Sequence, residues 1–166
     1  LYVPIKIFNR VTAAALRKKR DMYYIQSISN KYKVEDRCAW DVYSIDPPGS
    51  KDFDDAWSIK REKESILLSI YIANVTLWLE VMNLWEYFSE RVSTIYLPDR
   101  KRAMLPTVLS DKLCSLQENN QRIAFTLDVL FDLKTGEIQR TTFLNTKISL
   151  TRNCCYGDIG GCIEYP

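Results

Sequence analysis

Apolar positions recur with two different periods along this chain. At residues 3–8, Val3, Ile5 and Ile7 alternate with other residues, which predicts a short strand. Residues 11–24 predict a helix: Ala13, Ala14, Ala15 and Leu16 lead into Arg17, Lys18, Lys19 and Arg20, cations that suit a helix C-terminal end. That basic run reads as a solvated helical face or as a phosphate-contacting one. Residues 41–45 alternate as a strand, and residues 46–51 form a turn-rich loop with Pro47, Pro48 and Gly49. Residues 53–60 and 65–73 predict two more strands joined by the charged hairpin 61–64, with Ile66, Leu68, Ile70 and Ile72 on one face. Residues 84–92 have helical spacing and residues 96–106 read as a loop. Residues 123–131 and 137–146 predict a hairpin around Lys134, Thr135 and Gly136. The expected fold class is therefore α+β, a mixed, mainly antiparallel sheet with flanking helices. Residues 1–40 are expected to be an upstream segment or domain remnant, ahead of a main unit at residues 41–166.

Composition narrows the chemistry. The chain has 166 residues, 46% of them hydrophobic and 27% charged, which suits one globular domain with a sizeable core. A net charge of +2, from 23 basic and 21 acidic residues, carries no global nucleic-acid signature, so a basic footprint has to come from local clustering. There is no histidine, which excludes Ser-His-Asp and Cys-His catalysis. The five cysteines are odd in number and lack C-x-x-C spacing, so reduced thiols of an intracellular, cytoplasmic protein are expected. Cys154, Cys155 and Cys162 form a soft-metal candidate without the usual ligand spacing. The most apolar stretch, residues 66–75, contains Ser69 and Asn74 and is too short to cross a bilayer. Carboxylates, metals, lysines and tyrosines are left to carry any chemistry.

The most informative segment is residues 44–56, Ser-Ile-Asp-Pro-Pro-Gly-Ser-Lys-Asp-Phe-Asp-Asp-Ala, where Asp46, Asp52, Asp54 and Asp55 fall within ten residues. Carboxylates held close together repel and raise each other's pKa, and a metal ion relieves that repulsion. Magnesium prefers oxygen ligands of this kind. An EF-hand reading from Asp52 fails, because Trp57 stands where glycine is needed and Lys63 where glutamate is needed. A phosphoaspartyl-transferase reading fails because Pro48, Gly49, Ser50 and Lys51 stand where an apolar strand should lead in. The remaining alternative is a solvated acidic turn.

This segment resembles the signature of the RNase II-like (RNB) 3′→5′ exoribonuclease family, in which a strand-end Asp and a D-x-D-D cluster line a metal site. Further blocks match in order. Tyr71-Ile72-Ala73-Asn74-Val75 resembles the family's H-I-A-D-V strand, and Tyr96-Leu97-Pro98-Asp99-Arg100 its Y-L-P-D-R loop. Met104-Leu105-Pro106, Leu109-Ser110 and Leu113-Cys114-Ser115-Leu116 resemble M-L-P, L-S and L-C-S-L. Arg122-Ile123-Ala124-Phe125 resembles R-L-A-F. The resemblance spans residues 44–156 and makes residues 41–166 the N-terminal part of an incomplete RNB-type catalytic domain. It implies magnesium-dependent 3′→5′ hydrolysis of single-stranded RNA to nucleoside 5′-monophosphates, with Asp46, Asp52 and Asp55 as metal ligands and Asp54 as a further catalytic carboxylate. It also implies RNA contacts by Tyr96, whose ring can stack on a base, and by Arg100, Lys101 and Arg102.

The sequence departs from the family pattern in three ways. Tyr71 and Asn74 replace the family's usual His and Asp. The later signature that carries the transition-state arginine has no match here, nor has the second aromatic of the base-stacking clamp. No complete OB-type RNA-binding domain is visible on either side. Two expectations follow: an exoribonuclease within a longer chain or completed by a second polypeptide, or a non-catalytic module that binds RNA or a partner. The second expects exposed apolar surface where the rest of the domain would pack.

Overall fold

The structure, a computed structural model, describes residues 5–89, 93–99 and 101–157, with Ser89, Lys101 and Arg102 described by their backbone alone. Two helices come first: α1 (Ile5–Lys18) and α2 (Asp21–Lys31). The strand expected at residues 3–8 is thus corrected to helix from Ile5 onward. The alternation there is real but short, and the spacing from Phe8 to Thr12 decides instead, because it puts two buried residues on one helical face. The Thr12 hydroxyl donates to the Phe8 carbonyl at 2.9 Å. The single helix expected over residues 11–24 is broken at Lys19 and Arg20. Beyond the break Asp21 stands in the first turn of α2, where a negative charge is favourable, and Tyr24, Ile25 and Ile28 turn inward.

Seven strands form one sheet: β1 (Val34–Arg37), β2 (Tyr43–Asp46), β3 (Asp55–Glu62), β4 (Ser65–Ala73), then, past a small separate ladder of β5 (Ile95–Tyr96) and β6 (Lys101–Arg102), β7 (Gln121–Asp132), β8 (Ile138–Ser149) and β9 (Arg152–Cys155). The order is β1-β8-β7-β4-β3-β2-β9. The four central strands β8, β7, β4 and β3 and the β3–β2 pair are antiparallel, while each edge strand, β1 on β8 and β9 on β2, pairs in parallel. The β7–β8 hairpin is the one expected from sequence, its turn completed by Gly136 at φ 73°. Two short helices, α3 (Val75–Val81) and α4 (Trp85–Ser89), follow β4, and a π-helical turn spans Leu109–Leu113.

The helices bury one cluster around Phe8, Ile28, Trp78, Leu79, Leu84 and Leu109, which reaches the sheet at Ile123 of β7. A second cluster, Val42, Ala56, Tyr71, Leu116, Ala124, Ile148 and Leu150, lies on the opposite face. On β4 the alternation was legible, but the fully buried set is Leu67, Ser69 and Tyr71, whereas Ile66, Leu68 and Ile70 are half-buried and Ile72 is exposed. Among the described residues no helix is long and apolar enough to cross a membrane.

Candidate active site

Strand β2 carries Asp46 to its end, beside β9 on one side and β3 on the other. The Asp46 carboxylate is half-buried, and its Oδ2 is shielded from solvent without a hydrogen-bond partner. Burial pushes its pKa up; a hydrogen bond with Ser44 offsets part of that, and the charges of Asp55 and Asp52 add to the upward push. An orphaned carboxylate oxygen in a field of like charges is a group short of a cation.

The chain then turns through Pro47, Pro48 and Gly49. Ser50 donates to the Pro47 carbonyl twice, from its amide at 3.2 Å and from its hydroxyl at 2.9 Å. Gly49 has φ 85°, a conformation that side chains with a Cβ rarely adopt. Asp52 and Asp54 are exposed in the returning segment, and Asp55, also exposed, opens β3 opposite Ile72 of β4.

Two of the other recognised motifs hold this loop in place. The Phe53 amide donates to Ser115 Oγ at 3.0 Å, the Leu116 amide donates to the Phe53 carbonyl at 2.8 Å, and Ser115 Oγ donates to the Lys51 carbonyl at 3.4 Å. Arg122, buried, anchors the same segment by donating from Nε to the Ser115 carbonyl at 2.7 Å. The Ala73 amide donates to the Asp54 carbonyl at 2.8 Å. Sequence reasoning saw Leu113–Leu116 and Arg122–Phe125 as matching blocks but gave them no role. Their role is to clamp the aspartate loop, and a buried serine and arginine in otherwise apolar motifs were the available signal. Cys114, in the same clamp, has its thiol pushed up to about 12 by burial, so it is protonated at neutral pH and no thiolate ligand.

The loop gathers the four aspartates without focusing them on one point. Among the described residues no group of three or more Asp, Glu or Cys is arranged to hold an ion. That arrangement still fits magnesium, which is usually held by one or two carboxylates with water and substrate phosphates completing its shell. Cys154 and Cys155 are neighbours in β9 and so point to opposite faces, and Cys162 lies outside the described residues.

Tyr96 is 76% exposed, at the start of the β5–β6 hairpin. The backbone of Lys101 pairs with Tyr96 and that of Arg102 with Ile95, so a short ladder stands within the segment expected to be loop. Arg100 lies outside the described residues. Leu105, just beyond the hairpin, packs against the helical cluster and ties it to that side of the protein.

The two departures at β4 have structural explanations. Tyr71 is fully buried, its hydroxyl 2.8 Å from Ser58 Oγ. Asn74 caps α3: its Oδ1 accepts from the Leu77 amide at 3.2 Å while its Nδ2 donates to Asn145 Oδ1 at 2.9 Å. An aspartate could take the first bond but could not donate the second, so the amide suits this position.

Comparison with known proteins gives the same picture. The RNB domain family matches residues 34–165. Ribonuclease R of Aquifex aeolicus is 38% identical over 117 residues, 67% of this chain and 16% of that protein. The exosome complex exonuclease RRP44 of Homo sapiens is 30% identical over 156 residues, 90% of this chain and again 16% of the relative. A solved structure of Mycoplasma genitalium RNase R in complex with ribose-methylated single-stranded RNA superimposes with TM-score 0.67 at 25% identity, covering 80% of this chain and 21% of that one. Yeast Ssd1, described as a pseudonuclease, shares the fold with TM-score 0.64 at 17% identity, over 74% of this chain and 15% of its own. The chain spans about a sixth of the length of the curated relatives it matches.

Proposed function

Because this chain belongs to the RNB family, we propose that it supplies the carboxylate-bearing part of a magnesium-dependent 3′→5′ exoribonuclease that acts on single-stranded RNA and releases nucleoside 5′-monophosphates. One observation carries the reading: the shielded, unpartnered Oδ2 of Asp46 beside the charges of Asp52 and Asp55, in a loop clamped by Ser115. Asp46, with Asp52 and Asp55 drawn in as the ion binds, would hold magnesium, which when bound supplies an activated water and charge neutralisation at the phosphate. Asp54, exposed on the same loop, would either hold a second metal or orient the attacking water. Tyr96 offers an open ring to a base near the 3′ end, and Arg100, Lys101 and Arg102 bring cations to the phosphates.

Incubation of the chain with a 5′-labelled single-stranded RNA, with and without magnesium, tests the activity. Magnesium-dependent shortening from the 3′ end that is lost in Asp54→Asn is the expected result; magnesium-dependent shortening that survives in Asp54→Asn excludes this mechanism. Calorimetric titration with magnesium alone tests the metal assignment, since Asp46→Asn should abolish binding whether or not RNA is cut. A second reading, a module that binds RNA or a partner without cutting, is favoured by Ile59, Ile72, Phe125 and Phe143, which are exposed on one face of the sheet. A folded chain that binds RNA and leaves it intact at any magnesium concentration would select it.

A further inference from the structure

A groove of about 660 Å³ runs between α1, α2 and the end of α3, within the ~300–1,000 Å³ typical of ligand sites. Its floor is apolar, with Val11, Ala15 and Met82, and its rim is cationic, with Lys18, Lys19 and Lys31. The groove draws most of its wall from residues 11–31, ahead of the part matched by the RNB family.

The rim cations differ in how they are held. Lys31 is bound to Glu80 at 3.1 Å, so its charge is largely spent. Lys19 lies 3.7 Å from the centre of the Tyr23 ring and hydrogen-bonds the Tyr23 hydroxyl, which fixes its ammonium at the groove mouth. Lys18 is exposed beside it, and the exposed Arg17 and Arg20 flank the pair. An apolar floor under a row of cations matches a ligand that alternates apolar and anionic parts, which is the chemistry of single-stranded RNA.

We propose that the groove between α1, α2 and α3 is a second RNA contact, in which Lys18 and Lys19 bind backbone phosphates of single-stranded RNA while the floor of Val11, Ala15 and Met82 takes a base or ribose. This rests on the RNA-directed reading above and adds to it a site whose two lysines lie ahead of the matched family region.

Fluorescence anisotropy with a fluorescein-labelled oligouridylate, in a chelator so that nothing is cut, tests it on the whole chain. Lys18→Ala/Lys19→Ala is expected to weaken binding about 10-fold at low salt and to flatten the salt dependence by ~1.4 in log–log slope, two phosphate contacts at ~0.7 each. Ala14→Trp, which fills the groove from an exposed lining position, should weaken binding without changing that slope. Lys63→Ala/Lys134→Ala, on the distant hairpin turns, should change binding less than twofold. Equal losses from the two lysine pairs, or no loss with Ala14→Trp, would mean unspecific attraction and overturn the groove. Tight binding by the parent chain that Lys18→Ala/Lys19→Ala leaves unaltered overturns the groove alone. No binding by the folded parent chain overturns both the groove and the RNA-directed reading.

Discussion

The two faces of the central sheet differ in how they are covered: one mixes buried polar residues with the apolar cluster around Tyr71, and the other carries large apolar residues that stay partly open. On the covered face, successive rows across β3, β4, β7 and β8 read Ser58, Ser69, Asp128, Thr142 and Ala56, Tyr71, Thr126, Leu144. On the other, they read Trp57, Ile70, Leu127, Phe143 and Ile59, Leu68, Val129, Thr141. In the first pair of rows Ser58, Ser69, Ala56, Tyr71 and Thr126 are buried while Thr142, on β8, is exposed; in the second pair only Val129 is buried. Arg37, itself buried, reaches in to bond Asp128 with both terminal nitrogens, at 2.8 and 2.6 Å, and Ser69 at 3.1 Å, while Trp40 stacks on its guanidinium at 4.2 Å. Thr126 and Thr146 share a hydroxyl bond of 2.7 Å. The helical cluster covers the large, apolar face at Ile123, but beyond it Phe125 and Phe143 stack at 5.9 Å with Phe143 63% exposed. The lesson is that burial here follows what lies against each face, not side-chain polarity. A polar layer survives inside because its buried hydrogen-bonding groups are satisfied.

This contrast can be broken in several ways. The largest effect should come from Arg37→Ala, which leaves the Asp128 carboxylate buried without its cation. Burial pushes the Asp128 pKa up, and the hydrogen bonds from Arg37 and Ser69, with the charges of Arg37 and Arg140, bring it below its ordinary value. Urea denaturation should show a loss of ~3–5 kcal/mol, typical of breaking one partner of a buried pair. Ile148→Ala, in the core of the same covered face, should cost ~2–5 kcal/mol by the same measurement. Tyr71→Phe should cost ~1–3 kcal/mol, because Ser58 is left buried without its partner hydroxyl. Phe143→Thr, on the open face, should cost less than about 1 kcal/mol by urea denaturation, the scale of one lost aromatic pair. A Phe143→Thr loss as large as that of Ile148→Ala would show the open face to be covered in solution.

Acid sharpens the comparison at the sheet's edge. Asp36 of β1 is paired with Lys147 of β8 at 2.7 Å, and the hydrogen bond from Lys147 holds its carboxyl down at about 2, below the ordinary 3.8. A depressed carboxyl pKa adds stability above 3.8, which is lost as pH falls through about 2. The melting temperature of the parent chain should therefore fall more steeply than that of Asp36→Asn between those values. Parallel curves would show that this exposed pair contributes nothing to folding.

What the sequence carried by itself was local pattern and motif order. The alternation at residues 65–73, the Gly136 turn and the aspartate segment were each legible, because a strand period, a left-handed turn and a D-x-D-D run need no distant partner to be recognised. The ordered blocks from Ser44 to Tyr156 were enough to name the family that residues 34–165 then matched. The tertiary structure decided the rest. It made residues 5–18 helical through the burial of Phe8 and Thr12, and it broke the expected long helix before Asp21. It added β1 and β9, four-residue strands that exist only because β8 and β2 present open edges to them. It also chose which face of β4 to bury, since Ile66, Leu68, Ile70 and Ile72 look like a core in one dimension, and only the chain crossing behind Ser69 and Tyr71 makes the other side the inside. The clamp of Ser115 on the aspartate loop belongs to the same class: Ser115 and Phe53 lie 62 residues apart, and a hydrogen bond at that separation leaves no period in the sequence.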